Sequence, residues 1–450
     1  PVDGMSARFH VVGGGIAGLA AAWELSAGEG VHVTVHEASD RWGGKVHTSP
    51  FAGHPVDEGA DAFLLRVPWA LELARELGLE AEIVHPAERR AYIWSRGDLR
   101  PMPAEHVLGV PLELDDLAAT GLLDDAELAE TRDAMGRPAG PVTEDDLSVA
   151  DLVTRAVGRP VLDRVVAPLL GGINAGQVDA MSAAAVAPQL LAAARQPEGL
   201  VAALRVLRAT VDTSAPIFGG FAGGTQRLVD RLVEALAERG VELRLKDKVH
   251  SLGHVEEDGT VLALPAFATA DLLADPSPGA AGLLNTIGYA SPVLVTLAVP
   301  AAGIDHALDA SGFLVPHTEG LLLTACSWAS RKWSHLAAGD TVILRASAGS
   351  AHDDRAQHLP DRKLVKALRA DLRRTMGLTG DPTEVRVSRW PQSLPQYAVG
   401  HLAMVADLRH TLAVEHPGLA LAGSAYEGVG LPACIHDGRL AARRLLDTRG

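Results

Sequence analysis

The sequence predicts an α/β protein built on a parallel sheet whose strands come from distant parts of the chain. Three stretches predict it. Near the N-terminus an apolar strand over residues 9–12 runs straight into Gly13, Gly15 and Gly18, a G-x-G-x-x-G turn that opens an alanine-rich helix reaching residue 25. A second strand over residues 31–37 ends on Glu37, about 20 residues past the glycines. At the other end, residues 418–432 are a strand entering another glycine-rich turn, followed by a closing helix over residues 435–446. A strand-to-helix glycine turn at each end of the chain implies one ligand pinned between two halves of a single sheet domain.

Each part of the first turn has a physical task. Gly13 makes the tight turn off the strand. Gly15, without a Cβ, lets a pyrophosphate approach the backbone, and Gly18 lets helix and strand pack closely. Gly14, Ile16 and Ala17 complete the turn, and the helix N-terminus offers free N–H groups to a phosphate. Glu37 stands where an acid holds a ribose hydroxyl, with Ala38 beside it. The Arg41-Trp-Gly-Gly-Lys45 stretch that follows predicts a second phosphate-side loop, with Arg41 supplying planar donors.

In order along the chain, residues 45–51 and 54–57 predict a hairpin around Ala52-Gly53, and small residues at Gly59, Ala60, Asp61 and Ala62 would let the backbone lie against a flat ring. Residues 68–77 predict a helix closed by Gly78. Residues 92–95 and 99–103 read as strands around Arg96-Gly97-Asp98. From 111 to 207 the three-and-four apolar spacing predicts helices over 112–123, 148–157, 161–170, 182–195 and 200–207, with 132–144 a loop rich in Pro, Gly and charge. This is an inserted helical domain. Residues 218–236 form a glycine-rich loop opening an amphipathic helix. A strand over 241–245, a hairpin turn at 256–259 and a buried strand over 260–265 return the chain to the first sheet. Strands over 293–299, 312–315, 321–328, 341–348 and 385–390, with a helix over 363–376, predict a second sheet.

The composition sets bounds. With 450 residues, 47% hydrophobic and 21% charged, the chain is long enough for two or three globular domains. The formal net charge of -16 and the lack of a Lys/Arg-rich run exclude a nucleic-acid surface. An anionic ligand must therefore be met by local arginines against the global field. Two unclustered cysteines, Cys326 and Cys434, support neither a zinc site nor a dithiol, and suit a reducing cytoplasm. No run of 18 apolar residues predicts a membrane-spanning helix, and no signal-peptide pattern is present. Residues 1–4, ahead of Met5, read as an appended remnant.

The combination of G-x-G-x-x-G, Glu37-Ala38-x-x-Arg41-x-Gly43-Gly44 and Gly423-x-x-Tyr-x-Gly-Val-Gly-x-Pro-x-Cys-Ile resembles the FAD-dependent amine oxidase and protoporphyrinogen oxidase superfamily. Within it, Pro168-Leu-Leu-Gly-Gly-Ile-Asn-Ala-Gly176, Phe218-Gly-Gly-Phe-Ala-Gly-Gly224, Arg389-Trp-Pro-Gln-x-x-Pro-Gln-Tyr-x-x-Gly-His401 and Ala425-Tyr-Glu-Gly-Val-Gly-Leu-Pro-Ala-Cys-Ile435 resemble the porphyrinogen oxidases, and the chain as a whole looks like their bacterial coproporphyrinogen III branch. The resemblance implies a Rossmann-like FAD-binding domain built from discontinuous segments (5–85, 215–270 and 405–450), a mixed-sheet substrate domain (86–104 and 271–404) and a helical domain (105–214). It implies six-electron oxidation of coproporphyrinogen III to coproporphyrin III in haem biosynthesis, with O₂ as acceptor and H₂O₂ as by-product. Protoporphyrinogen IX, or another substrate of an amine-oxidase-type flavoenzyme, is the alternative.

FAD contacts carried over by resemblance fall on Gly13–Gly18, Glu37, Ala38, Lys45, Gly59–Ala62, Val249 and Val429, Gly430 and Leu431. Arg41 and Gly423 join them from the motifs. The stretch between Val249 and Val261 is shorter than the family's. For the tetrapyrrole the candidates are Asn174, where the family commonly has an aromatic, Arg90 and Arg96 (with Arg89) for a propionate, and Tyr426 for the flavin face. No general base and no metal are assigned. Pathway logic alone adds a transient contact with a ferrochelatase, and a peripheral membrane contact stays open.

Overall fold

The computed structural model describes residues 7–137, 140–210, 215–254, 258–337 and 339–448. The glycine turn follows the strand Ala7–Val12, which is central in a five-stranded parallel sheet. Val31–Glu37 pairs with it on one side and Gly259–Leu262 on the other. Glu242–Leu245 and Leu419–Leu421 form the edges. Five strands from three regions of the sequence thus form one sheet. One face is covered by Ile16–Leu25, whose residues are almost all buried, together with the closing helix Leu431–Asp447. The two helices touch closely because Gly438 presents no Cβ to the backbone of Ala17.

The hairpin expected at 256–259 is not formed. Residues 255–257 lie outside the described residues, but the strands on either side of the turn are not partners. Glu242–Leu245 runs parallel to Val31–Glu37, and Gly259–Leu262 parallel to Ala7–Val12, so the connection is a crossover. The hairpin at Ala52-Gly53 is present, with both turn residues at positive φ (48° and 79°) between Thr48–Phe51 and His54–Asp57. Phe218–Phe221 joins Phe63–Leu64 and Ile83–Val84 in a small antiparallel sheet. The helix that follows, Gln226–Glu238, starts where Thr225 donates N–H and O–H to the buried Asp57 carboxylate.

A second sheet has seven strands in the order Glu384–Arg389, Val293–Pro300, Thr341–Ala348, Leu323–Trp328, Gly312–Leu314, Tyr92–Ser95 and Asp98–Pro101. It is mixed, since only Gly312–Leu314 and Tyr92–Ser95 run parallel. Leu364, Leu368, Leu372 and Met376 recur on one face of Asp361–Met376 and close the core of this sheet.

The helical part has its own core, from Val149–Val157, the π-turn at Leu162–Val166, Ala167–Asn174 and Leu200–Thr210. The helix expected over 182–195 is broken into Ala183–Val186 and Pro188–Ala194, because Pro188 cannot continue a hydrogen-bonded turn. The loop expected over 132–144 is helical in its first residues. Asp125–Gly136 is a helix started by a full capping box between Asp124 and Glu127. The helices Ala266–Leu273, Pro278–Leu284 and His401–Glu415 were not expected.

Candidate active site

One cavity of about 2330 Å³ runs between the parallel sheet, the seven-stranded sheet and the helical part. Ordinary small-ligand pockets hold roughly 300–1000 Å³, so this one has room for a dinucleotide and a second large molecule. Although the whole chain carries -16, the described residues lining the cavity include eight Lys/Arg and eight Asp/Glu, so the wall itself is balanced.

The dinucleotide end is built by the two glycine turns. The N–H of Gly13 donates to the carbonyl of His36 (2.8 Å) and its φ of 112° turns the chain off the strand. A Cβ on Gly18 would strike the carbonyl of Gly13, whereas one on Gly15 would meet no atom of the protein within 4 Å and would project into open space. Gly15 therefore leaves a cradle of the kind a pyrophosphate fills, and Gly18 serves packing. Gly14 is covered by the Trp42 ring and donates its N–H to Glu37 (2.8 Å).

The other Glu37 oxygen accepts from the N–H of Ser39 (2.7 Å), which fixes the carboxylate on the cavity wall beside Ala38. Lys246 and Asp247 donate their N–H groups to the carbonyls of Ser39 and Glu37, so the strand edge delivers Val249 to the same end of the cavity. Gly423, Val429, Gly430 and Leu431 line it from the second turn. The helix Leu431–Asp447 begins there, as Ile16–Leu25 does at Gly15, with no side-chain cap on its N-terminal N–H groups. Two uncapped helix N-termini, an open cradle at Gly15 and a fixed acid at Glu37 fit the two phosphates and the ribose of FAD.

The Arg41 expectation needs correction. Its guanidinium donates to the carbonyls of Gly44 (2.5 Å) and Val46 (3.1 Å), so it braces its own loop and lies off the cavity wall. Lys45 does reach the wall, with Nζ donating to Ser424 Oγ (3.1 Å) and so joining the two turns. Burial pushes the Lys45 ammonium below its usual range, while the neighbouring Cys434 thiol is pushed up to about 12, chiefly by burial.

Residues Gly59, Ala60, Asp61 and Ala62 line the middle of the cavity. The Asp61 carboxylate faces Arg345 (2.7 Å), Lys332 (2.9 Å) and the indole N–H of Trp333 (3.1 Å). Burial alone would raise its pKa, but the charges of Lys332 and Arg345 outweigh it and hold the group well below the usual carboxylate range. Arg345 also donates to the carbonyl of Gly59, and Trp390 Nε1 to that of Glu58 (2.8 Å), so the second sheet clamps this loop. Neither Lys332 nor Arg345 was singled out from sequence, and Trp390 entered only as part of the Arg389-Trp-Pro-Gln motif. Arg345 was findable, as a lone charge inside the apolar run Thr341–Ala348.

Of the five residues named for the substrate, Asn174 and Arg89 line the cavity. Asn174 ends the helix Ala167–Asn174, its Nδ2 donating to the carbonyl of Leu170 (2.9 Å) and its own carbonyl accepting from Gln396 (2.9 Å). Arg90 is corrected. It is exposed, held by Glu88 (3.0 Å) and the carbonyl of Asp309, while the adjacent Arg89 is the one on the wall. Arg96 is corrected too. It occupies the positive-φ position of the 95–98 turn and pairs with Glu127 (2.6 Å) and Asp124 (3.1 Å), away from the cavity. Tyr426 is wholly buried among Leu262, Ala266 and Leu408 and presents no face to the cavity. Its backbone carbonyl accepts from His401 Nε2 (2.9 Å). Tyr397, stacked on His401 and donating to the carbonyl of Ser424 (2.5 Å), is the aromatic that reaches the wall there.

This fold and site define a dinucleotide-binding oxidoreductase whose cofactor spans two glycine turns. The chain belongs to the flavin-containing amine oxidoreductase family, whose sequence pattern matches residues 16–446, and its cofactor is FAD. Among its relatives are the coproporphyrinogen III oxidases of Mycobacterium bovis (36% identity, 95% of this chain and 94% of that one) and Bacillus subtilis (31%, 96% of each). A crystal structure from Exiguobacterium sp. 255-15, provisionally designated a protoporphyrinogen oxidase, superposes with a TM-score of 0.88 at 30% identity over 98% of this chain and 99% of that one.

Proposed function

We propose that the protein oxidises coproporphyrinogen III to coproporphyrin III in haem biosynthesis. The single observation that carries this reading is the continuous cavity, which extends from the two glycine turns past Asp61 to Asn174 and Arg89 with volume for a tetrapyrrole beyond the dinucleotide. The names of relatives that match nearly the full chain point to the same substrate. FAD held by the two glycine turns would supply hydride acceptance, with O₂ as the final acceptor. Each of three rounds removes two electrons and two protons from the substrate and converts one O₂ to H₂O₂.

The polypeptide holds and orients. Glu37, Gly15 and the turn 428–431 hold the cofactor, and Gly59–Ala62 form the wall along it, stiffened by the Asp61–Arg345–Lys332 cluster. Arg89 is the cation we assign to a propionate in place of Arg90. We assign no catalytic acid–base side chain: the N–H protons leave to water or a backbone carbonyl. The segments 5–85, 215–270 and 405–450 act as the cofactor part, 86–104 and 271–404 as the substrate part and 105–214 as a helical wall. We place the protein in the cytoplasm, with its product passed on to a ferrochelatase. Among the described residues no helix is long and apolar enough to cross a membrane.

The test is porphyrin fluorescence on aerobic mixing with each porphyrinogen. Faster appearance of coproporphyrin III from coproporphyrinogen III than of protoporphyrin IX from protoporphyrinogen IX is expected. No porphyrin from either would overturn the reading, and a preference for protoporphyrinogen IX would overturn the substrate.

A further inference from the structure

The helical wall of the cavity carries one Lys or Arg among its described lining residues, Arg208, in the last turn of Leu200–Thr210. Its only partner among the described residues is Glu105, bonded at Nε (3.2 Å), which leaves both Nη atoms free to donate. Glu105 is half exposed, so that pair is weak and leaves the guanidinium's charge largely available.

Next to Arg208 on the same wall is His106. A two-residue turn at positive φ, Leu108 (49°) and Gly109 (84°), folds the chain back between His106–Val107 and Val110–Pro111. The N–H of Gly109 donates to His106 Nδ1 (3.1 Å). In the neutral ring the proton therefore sits on Nε2, and His106 is a donor. Burial, and then the positive charge of Arg208, push its pKa below the usual value, with Asp116 and Glu105 opposing. A forked cation and a neutral N–H donor, both on the wall of a cavity that holds an acidic substrate, match a carboxylate.

We propose that Arg208 and His106 form a carboxylate-binding subsite that takes one propionate of the tetrapyrrole. This rests on the porphyrinogen reading above. Four propionates need more cations than Arg89, and the helical wall offers this one.

Binding of coproporphyrin III to the FAD-loaded protein, followed by fluorescence, together with steady-state kinetics on coproporphyrinogen III, tests the subsite in R208Q, R208K and H106F. R208Q is expected to weaken product binding and raise KM roughly 10-fold, with kcat changed by no more than about twofold, and R208K to recover part of the loss. H106F is expected to lose roughly threefold. The tetramethyl ester of coproporphyrin III, which has no carboxylate, is expected to bind wild type and R208Q alike. The flavin absorbance of each variant reports that the fold is kept. R208Q with wild-type affinity, or an R208Q loss that persists with the ester, would overturn the subsite while leaving the porphyrinogen reading intact. A wild-type protein that neither binds coproporphyrin III nor oxidises the porphyrinogen would overturn that reading first.

Discussion

Gly15 and Gly18 belong to one motif but do different work, and substitution separates them. Gly15 has an extended backbone (φ -73°, ψ 173°) that any residue adopts, and its missing Cβ faces open space. Gly15→Val is expected to leave the unfolding free energy of the apoprotein within about 0.5 kcal/mol of wild type and to abolish FAD retention, seen as loss of the yellow colour on purification. Gly18→Val drives a side chain into the carbonyl of Gly13 and is expected to cost the fold itself about 3 kcal/mol. Asp61 supplies a second case. Its carboxyl, low in the folded state, contributes stability above the unfolded pKa of about 3.9 and loses it as the pH falls toward the folded value. Urea unfolding of Asp61→Ala at pH 7 is expected to show a loss of about 3–5 kcal/mol, because Arg345 and Lys332 are left without their carboxylate. The gap from wild type should narrow below pH 4. At this scale the sequence was legible where backbone geometry sets the conformation, as at the positive-φ Gly13 and the tightly packed Gly18. It was not legible where a side chain's direction depends on a distant partner. Arg89 and Arg90 are adjacent, and the contacts of Arg90 with Glu88 and Asp309 hold it off the cavity while Arg89 lines the wall.

Elements with strong local signals were readable. The hairpin at Ala52-Gly53 puts both turn residues at positive φ, and Gly53 is the one whose residue type signals it. The helix Asp125–Gly136 carried its own signal, the Asp124-x-x-Glu127 capping box, which the surrounding Pro, Gly and charge obscured. Asp124 both caps this helix and accepts from Arg96. Asp124→Ala is expected to lower stability by about 1 kcal/mol while FAD content and turnover stay at wild-type values, measured by denaturant unfolding and flavin absorbance. The hairpin expected at 256–259 failed for the opposite reason. A turn-like sequence says only that the chain reverses locally, whereas the partners of Gly259–Leu262 are Ala7–Val12 and Leu419–Leu421, more than 150 residues away in either direction.

On the scale of the molecule, the cavity is assembled from three separately cored parts. The two glycine turns were foreseeable because each strand-to-helix conformation is set locally. The rest of the wall was not, since Arg345, Arg208 and His106 reach it from elements whose sequences read as ordinary strands and helix. The clamp from the second sheet onto residues 58–61 joins substrate wall to cofactor wall, so a tetrapyrrole held by the one is presented to the other. The measurement that tests this most directly is simultaneous oxygen uptake and porphyrin formation by the FAD-loaded protein on coproporphyrinogen III. Three O₂ consumed and three H₂O₂ formed per coproporphyrin III is the predicted result. Absence of enzyme-dependent porphyrin, or porphyrin formed without oxygen uptake, would contradict it.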